Sequence, residues 1–142
     1  MPRLNLRDLR RVRKCLGKSQ SAFAALVGVS TKAIQSYEQG WRSTPAHVQR
    51  MALLLLIMSR RKSEARTSPP CWKLRRCAPE TTARCPAYQF REGRLCWLVT
   101  GTLCEGKKAE SWTAKMAGCG HCAVLERQLQ PRAGRPTRRE RN

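Results

Sequence analysis

Seven of the eight cysteines lie in one window of the sequence, from Cys71 to Cys122. Two of them are followed directly by tryptophan, at Cys71-Trp72 and Cys96-Trp97. Cysteine thiolates bind soft metals and carry out redox reactions, so the window predicts a metal-binding or redox module. We expect four or more of these seven to be ligands: Cys71, Cys77, Cys85, Cys96, Cys104, Cys119 and Cys122.

The spacing of these cysteines favours an iron–sulfur cluster over zinc. Two residues separate Cys119 from Cys122, so both thiolates can reach one ion, and Gly120 allows the turn between them. Zinc modules usually contain two such pairs, whereas the other cysteines here are dispersed. A cluster gathers thiolates from distant positions, and Cys85-Pro86 resembles the Cys-Pro that ends a ferredoxin cluster motif. We therefore predict an iron–sulfur cluster, with structural zinc as the alternative.

Two other uses of clustered cysteines fit the sequence less well. Structural disulfides belong to oxidising compartments, and residues 1–7 lack the apolar segment of a secretory signal. A catalytic cysteine needs a histidine partner, but His47 and His121 are the only histidines, and His121 lies between two expected ligands. The sequence therefore predicts a cytoplasmic protein that is not an enzyme. Trp72 and Trp97 are expected to shield a bound cluster from water, and His47 is expected to face solvent.

The charge of the chain favours a polyanionic partner. The net charge is +20, from 29 basic and 9 acidic residues. Each lysine or arginine placed on a phosphate releases condensed counterions, which favours binding. Charge alone does not distinguish DNA, RNA and an anionic membrane surface. The most apolar run, residues 51–58, is far shorter than the ~20 residues that cross a bilayer, so no membrane span is expected.

Helical patterns precede the cysteine window. Ser19 and Ser30 are good N-caps, and Gly28 and Gly40 suit the turns that end the second and third helices. Pro45 suits the first turn of a last helix. Apolar periodicity then predicts the inward residues. These are Ala33, Ile34 and Tyr37 in the third helix, Val48, Met51, Ala52, Leu55 and Leu56 in the last helix, and Cys15 as a small core residue.

Two short helices joined by a glycine turn form a helix-turn-helix, whose second helix enters the major groove of DNA. Its exposed amide, ammonium and hydroxyl groups can hydrogen-bond base edges. Ser19 and Gln20, at the start of the preceding helix, could hold a phosphate beside the positive end of the helix dipole. The side chains expected on the base-reading face are Thr31, Lys32, Gln35 and Ser36.

The first part of the chain resembles the Cro/phage-repressor (XRE) helix-turn-helix family over about residues 5–60. The shared features are the opening glutamine Gln20, the turn Gly28-Val29-Ser30, and the helix end Tyr37-Glu38-Gln39-Gly40. The resemblance implies that the outer face of the third helix meets bases and that Gln20, Gln39, Trp41 and Arg42 lie near the phosphate backbone. Trp41 departs from the family, where a smaller polar residue is commoner; it would pack on the C-terminal module or stack near a sugar. The expected DNA-binding residues are Ser19, Gln20, Ser30, Thr31, Lys32, Gln35, Ser36, Gln39, Trp41 and Arg42.

The cysteine window is similar, in its order of motifs, to the bacterial two-CW module over about residues 71–125. That module resembles an accessory attached to signalling proteins and to helix-turn-helix regulators. The resemblance implies a sensory role and does not specify a metal. The matching motifs are Cys71-Trp72 with Cys77, Cys85-Pro86, Cys96-Trp97, Gly101-Thr102-Leu103-Cys104 and Cys119-x2-Cys122.

These patterns predict a mainly α protein that regulates transcription. It would bind double-stranded DNA as a homodimer, take no small-molecule substrate, and sense redox state or metal through its Cys-rich module. The alternative is a protein-interaction adaptor whose Cys-rich module holds structural zinc. The predicted parts are a four- or five-helix helix-turn-helix domain at 1–62, a linker at 63–70, a small irregular Cys-rich domain at 71–126, and a disordered basic tail at 127–142.

Overall fold

The computed structural model of this chain describes residues 8–60 and 69–130. Most of the predicted linker and most of the predicted tail lie outside these ranges. The first range contains the four helices expected for a helix-turn-helix domain. They are α1 (Leu9–Cys15), α2 (Gln20–Val27), α3 (Thr31–Gln39) and α4 (Ala46–Arg60).

Local capping sets the ends of these helices, as the sequence predicted. The Ser19 hydroxyl oxygen accepts a hydrogen bond from the Ala22 amide and begins α2, and Ser30 begins α3 in the same way. Gly28 and Gly40 end the two helices in the left-handed conformation, with φ of 84° and 78°. The turn between α2 and α3 is therefore set by Gly28, which ends α2, and by Ser30, which begins α3.

The four helices enclose an apolar core, most of which the helical periodicity predicted. Ala33 and Ile34 of α3 are buried, and Tyr37 packs against the core from its edge. Some predictions were wrong: Met51 is 38% exposed, and Cys15 is exposed at the end of α1. The apolar spacing of α2 also predicts Ala22, Ala25 and Leu26 on its inward face beside Phe23, but these three are exposed. The buried residues of this first core are Leu9, Val12, Phe23, Ala24, Ile34, Val48, Ala52 and Leu56.

The second range consists of short helices separated by turns. One isolated bridge, between Cys104 and Lys107, is the only β pairing among the described residues. The helices are α5 (Cys71–Leu74), α6 (Pro79–Arg84), α7 (Pro86–Gln89), a 3₁₀ helix (Cys96–Leu98), α8 (Trp112–Cys119) and α9 (Ala123–Leu129). The region is small and irregular, as expected, although most of its elements are short helices.

Helix α4 contributes to two cores. Ala52 and Leu56 face the first core, whereas Leu53 and Ile57 face a second core that contains Trp97. Sequence reasoning had assigned only the first of these faces. The members of the second core are Leu53, Ile57, Trp97, Trp112, Met116, Cys119 and Leu125.

Helix α9 closes the second core and returns to α4. It continues to Leu129, so the predicted domain boundary after residue 126 falls inside a helix. Leu129 packs against both cores, and the Arg60 guanidinium donates a hydrogen bond to its carbonyl oxygen. Among the described residues, no helix has the length and hydropathy needed to span a bilayer.

Candidate DNA-binding surface and cysteine cavity

The outer face of α3 presents the polar side chains that the sequence assigned to base reading. Lys32 and Gln35 are exposed, and Thr31 and Ser36 are half-buried. Alanine and isoleucine on the opposite face anchor the helix in the first core, so the polar face points away from the protein. This arrangement leaves the donors and acceptors of α3 available to base edges.

Gln35 is held in place by a chain of hydrogen bonds. Its amide nitrogen donates to the Gln20 side-chain oxygen, with a separation of 3.5 Å. The Gln20 amide nitrogen donates in turn to a Glu38 carboxylate oxygen at 2.9 Å. Gln20 therefore orients Gln35 in addition to lying at the start of α2, where the sequence placed a phosphate contact.

Glu38 is the buried anchor of this chain, and sequence reasoning missed its role. Its side chain is 1% exposed and bonds the Arg13 guanidinium through two contacts, at 2.5 and 3.1 Å. The more exposed Arg10 lies 3.5 Å away. Burial raises the pKa of Glu38, but hydrogen bonds from Arg13 and Gln20 and the positive charges of the two arginines outweigh burial, so the pKa is lowered. Its position one helical turn after Ile34, on the inward face, was the available sequence signal.

The loop after α3 carries the remaining predicted phosphate contacts. Trp41 is 76% exposed, so it does not pack on the C-terminal region. The Arg42 guanidinium lies 5.3 Å from the centre of the Tyr37 ring, in a cation–π arrangement. Gln39 is exposed at the end of α3. The hydroxyl oxygens of Ser19 and Ser30 accept capping bonds, which leaves each O–H free to donate to a phosphate.

Five cysteines from separate segments of the second region line one cavity of about 20 Å³. Its other lining residues include Trp72, Arg75 and Tyr88, and no histidine or carboxylate is among them. The Leu103 amide donates a hydrogen bond to the Cys85 sulfur at 3.4 Å. Such bonds stabilise negative charge on sulfur. The five cysteines are Cys71, Cys77, Cys85, Cys96 and Cys104.

The predicted Cys119–Cys122 pair does not join this cavity as a unit. Cys119, at the end of α8, is buried in the second core beside Trp97, and burial raises its pKa to about 11. Cys122 begins α9 and packs instead beside Cys96 and Cys71. The helix end between them turns the two side chains toward different cores. Close spacing in the sequence was therefore a poor guide to shared surroundings.

Cys71 and Cys96 interact directly with each other in the cavity. Their thiol groups hydrogen-bond to each other, which lowers the pKa of Cys71 and raises that of Cys96. Cys96 is 7% exposed, whereas Cys71 is half-buried. Burial raises the pKa of Cys77, on another wall of the cavity.

A buried lysine stands at the edge of the cavity. Lys115 is 5% exposed, and its ammonium group donates to the Thr102 hydroxyl and lies 3.9 Å from the Cys104 sulfur. Within the part of the chain that the structure describes, no carboxylate pairs with it. A buried ammonium needs a negative partner, and here the thiol sulfurs are the available groups. Lys115 lies one turn from Trp112 and Cys119 on the inward face of α8, a signal that sequence reasoning did not use.

The two Cys-Trp pairs position their tryptophans differently. Trp72 lines the cavity and meets the Tyr88 ring edge-on at 5.1 Å. Trp97 is fully buried and packs against α4 through the second core. Gly93 accepts a hydrogen bond from the Cys71 amide, and a Cβ at this glycine would lie 2.5 Å from Pro70. Position 93 therefore admits only glycine in this arrangement.

A polar connection joins the second region to the loop after α3. The Trp112 indole N–H donates to the Gln49 side-chain oxygen at 2.7 Å, and the Gln49 amide donates to the Thr44 carbonyl at 3.1 Å. On the next residue of α4, the Arg50 guanidinium lies 4.5 Å from the centre of the Trp112 ring and donates to Thr100. Together with Leu53 and Ile57, these contacts attach the cysteine region to the helix that supports α3.

The described thiols do not converge on a single ion. Over residues 8–60 and 69–130, no three histidine, cysteine or acidic side chains are arranged to hold one metal. His47 and His121 are both exposed, His47 as the sequence predicted. Among the described residues, the cavity thus brings many thiols together without three of them grouped around one ion position.

Comparison with known proteins identifies the first part of the chain. Residues 9–55 match a family model described as helix-turn-helix, which confirms the resemblance seen in that segment and supports a DNA-binding regulator. The match covers no part of the cysteine region, so the similarity to the two-CW module stays a prediction. Comparisons with curated proteins and with solved structures gave no match.

Proposed function

We propose that this protein is a transcriptional regulator that reads DNA with α3 and responds to redox state through its cysteine cavity. The observation that carries the proposal is the shared helix α4. One face of α4 packs in the first core, which also contains Ile34 of α3, and its other face holds Trp97, the neighbour of the cavity residue Cys96. A change in the cavity would therefore reach the DNA-binding surface through α4 and the first core.

The DNA-binding half of the proposal rests on the outer face of α3. Gln35 is pre-oriented by Gln20 and suits adenine, whereas Lys32 suits guanine. The net charge of +20 supplies non-specific attraction to phosphate. The N-terminal residues of α2 and the loop with Trp41 and Arg42 flank α3, in the positions that would meet the backbone on either side of the groove.

Selected-site binding tests this assignment. Gln35→Ala and Lys32→Ala should each remove about 1–3 kcal/mol of discrimination at one base position. Gln39→Ala is the matched control, because a phosphate contact should weaken binding to all sequences without changing the preferred site. If the α3 variants select the same sites as the parent protein, α3 is not the reading helix.

Recognition of a full operator should require two chains. One helix-turn-helix reads only a few base pairs, and two copies on half-sites about 34 Å apart are the usual arrangement. Sedimentation of the protein with a selected operator should give two chains on one duplex. A single chain on an asymmetric site would contradict the dimer.

For the sensing half, an iron–sulfur cluster fits the donor set better than zinc. The cavity has thiols from five positions, and neither histidine nor a carboxylate lines it. A cluster uses four thiolates that are farther apart than the ligands of one zinc ion. The cavity volume of about 20 Å³ has room for roughly one water, so the segments that line the cavity would move apart to hold a cluster. The residues that would hold it are four of Cys71, Cys77, Cys85, Cys96 and Cys104.

When bound, a cluster would supply a centre that oxidants alter. The residues of the chain supply the surroundings. Lys115 and the Leu103 amide place positive charge and an N–H group beside the sulfurs, which stabilises a negatively charged centre. Trp72 and Tyr88 limit the access of water from one side.

Anaerobic purification tests the occupant of the cavity. We expect iron and acid-labile sulfide with visible absorbance, and we expect Cys77→Ser to reduce all three. Cys15→Ser is the control, since Cys15 lies on α1 in the first region. Stoichiometric zinc without sulfide would overturn the cluster and favour a protein-interaction adaptor with a structural zinc module.

A further inference from the structure

We propose that Cys71 and Cys96 form a reversible disulfide when a hydroperoxide enters the cysteine cavity of the metal-free chain. This inference rests on the sensing role proposed above and names the reaction and the two residues that perform it. The sequence distinguishes both as the two cysteines followed by tryptophan, but it does not indicate that they pair with each other.

The first argument is contact. The thiol groups of Cys71 and Cys96 hydrogen-bond to each other, and both line the same cavity. They also belong to one packed cluster with Ala87 and Val124. Two sulfurs already in contact need little backbone movement to become bonded, because disulfide formation requires close approach of both side chains.

The second argument is access, which assigns the order of events. Both thiols line the cavity, but Cys71 is half-buried whereas Cys96 is buried. Of the two, Cys71 is therefore the one that a hydroperoxide reaches more easily. Cys96 is the neighbour that is positioned to react with the product, and its burial protects it from direct oxidation.

The reaction balances with a hydroperoxide as the only oxidant. The Cys71 sulfur attacks one peroxide oxygen, the O–O bond breaks, and the sulfur becomes a sulfenic acid while an alcohol or water leaves. The Cys96 sulfur then attacks the Cys71 sulfur, the S–O bond breaks, and water carries away the hydroxyl and the thiol proton. Two thiols and one hydroperoxide thus give one disulfide, one alcohol or water, and one further water.

The competing pair is Cys119 and Cys122, whose spacing is typical of redox-active motifs. In the structure Cys119 is buried in the second core beside Trp97, and Cys122 packs in the cluster with Cys96. The two side chains pack in different clusters, so the packing does not favour their pairing. The structure and the sequence spacing therefore give opposite predictions, which one experiment separates.

The experiment is peptide mapping of the full chain after chelator treatment and brief exposure to hydrogen peroxide. We expect one linked pair of peptides that contain Cys71 and Cys96, and we expect dithiothreitol to separate them. Linkage of Cys119 to Cys122 while Cys71 and Cys96 stay open to alkylation would overturn the proposal. The wild-type chain suffices for this result, so the test does not depend on a variant that folds.

Trapping assigns the order of events. Cys96→Ser should leave a sulfenic acid at Cys71 that a 1,3-dione probe labels, whereas Cys71→Ser should remove both the label and the linked peptides. Cys15→Ser should react as the parent does. A label at Cys96 in the Cys71→Ser chain would overturn the assigned order. Operator binding by the reduced protein is measured separately, so failure of the disulfide and failure of DNA recognition are distinguishable.

Discussion

Each region of this protein buries one charged side chain, and the two regions satisfy that charge differently. In the first region Glu38 is surrounded by Arg13, Arg10 and Gln20, so its carboxylate has opposite charges and hydrogen bonds. In the second region the described neighbours of the Lys115 ammonium are the Thr102 hydroxyl and thiol sulfurs, with no carboxylate among them. The first charge is balanced by groups that never change under ordinary conditions. The second depends on sulfur, whose charge and oxidation state respond to surroundings.

The same contrast appears in the helix ends. All three helices that precede α4 begin at a side chain that accepts a capping hydrogen bond, from Asp8, Ser19 and Ser30. In the second region only Ser111 does so, before α8. The remaining short helices begin without such a bond. The helix ends of the first region are therefore set by hydrogen bonds between neighbouring residues. The helices of the second region are held in place mainly by the packing of its tryptophan and cysteine side chains.

The largest expected effect comes from removing the contact between the regions. Trp97→Ala should lower the free energy of unfolding by about 4 kcal/mol, because it empties a fully buried site against α4. Trp41→Ala, at a position 76% exposed, is the matched control and should change stability by less than about 0.5 kcal/mol. Chemical denaturation followed by circular dichroism measures both.

The Trp97 variant also tests whether the two regions are coupled. If α4 joins them, hydrogen exchange in α3 should accelerate in Trp97→Ala, since α4 supports both cores. Unchanged exchange in α3 together with rapid exchange in α8 would show that the regions unfold independently. That result would also weaken the proposed route from the cavity to DNA.

The second largest effect is expected at Glu38. Glu38→Gln should cost about 3 kcal/mol of stability, because it leaves the Arg13 charge partly buried without its partner. Arg10→Ala is the control, since Arg10 is 45% exposed and its ion pair should be worth at most about 1 kcal/mol. Equal losses in the two variants would contradict the role of Glu38 as the buried anchor.

The pH dependence of stability follows from the same carboxylate. The pKa of Glu38 is lowered in the folded chain, so its contribution is complete above the ordinary glutamate value of about 4.3. The contribution is then lost as the pH falls through the lowered folded-state pKa. Acid unfolding of Glu38→Gln should therefore be less steep than that of the parent below about pH 4.

The smallest expected effect concerns the second buried charge. Lys115→Met keeps the length of the side chain and removes the ammonium group beside the Cys104 sulfur. Burial raises the pKa of Cys119 and the Lys115 charge lowers it, so alkylation of Cys119 should slow several-fold in this variant, which corresponds to about 1 kcal/mol. Lys107→Met, an exposed lysine near the same turn, should have a smaller effect. An equal effect of both variants would show that Lys115 acts only through the general positive charge.

The features that could be predicted from the sequence were mostly helix ends and turns, which depend on neighbouring residues. Ser19, Gly28, Ser30 and Gly40 specified the helix-turn-helix because each acts on neighbouring residues, through a cap or a left-handed turn. The exposed face of α3 followed from periodicity. The interpretation of Cys15 as a core residue failed because an exposed position at a helix end has no periodic signal of its own.

Features that depend on distant contacts could not be predicted in the same way. Leu53 and Ile57 have ordinary helical spacing, but nothing in α4 alone shows that a second core covers them. Cys119 and Cys122 are close in sequence, and only the fold shows that their side chains pack in different clusters. The convergence of five dispersed cysteines also depends on tertiary structure.

The double use of α4 restricts how such a protein can arise by gene fusion. The helix-turn-helix match ends at residue 55, whereas α4 continues to Arg60 and carries Leu53 and Ile57 on its second face. A cysteine module transplanted behind a repressor-like domain whose last helix has a polar outer face would leave Trp97 uncovered. A working chimera must therefore inherit the last helix together with the module, so the recombination joint belongs before Ala46 rather than in the segment after Arg60.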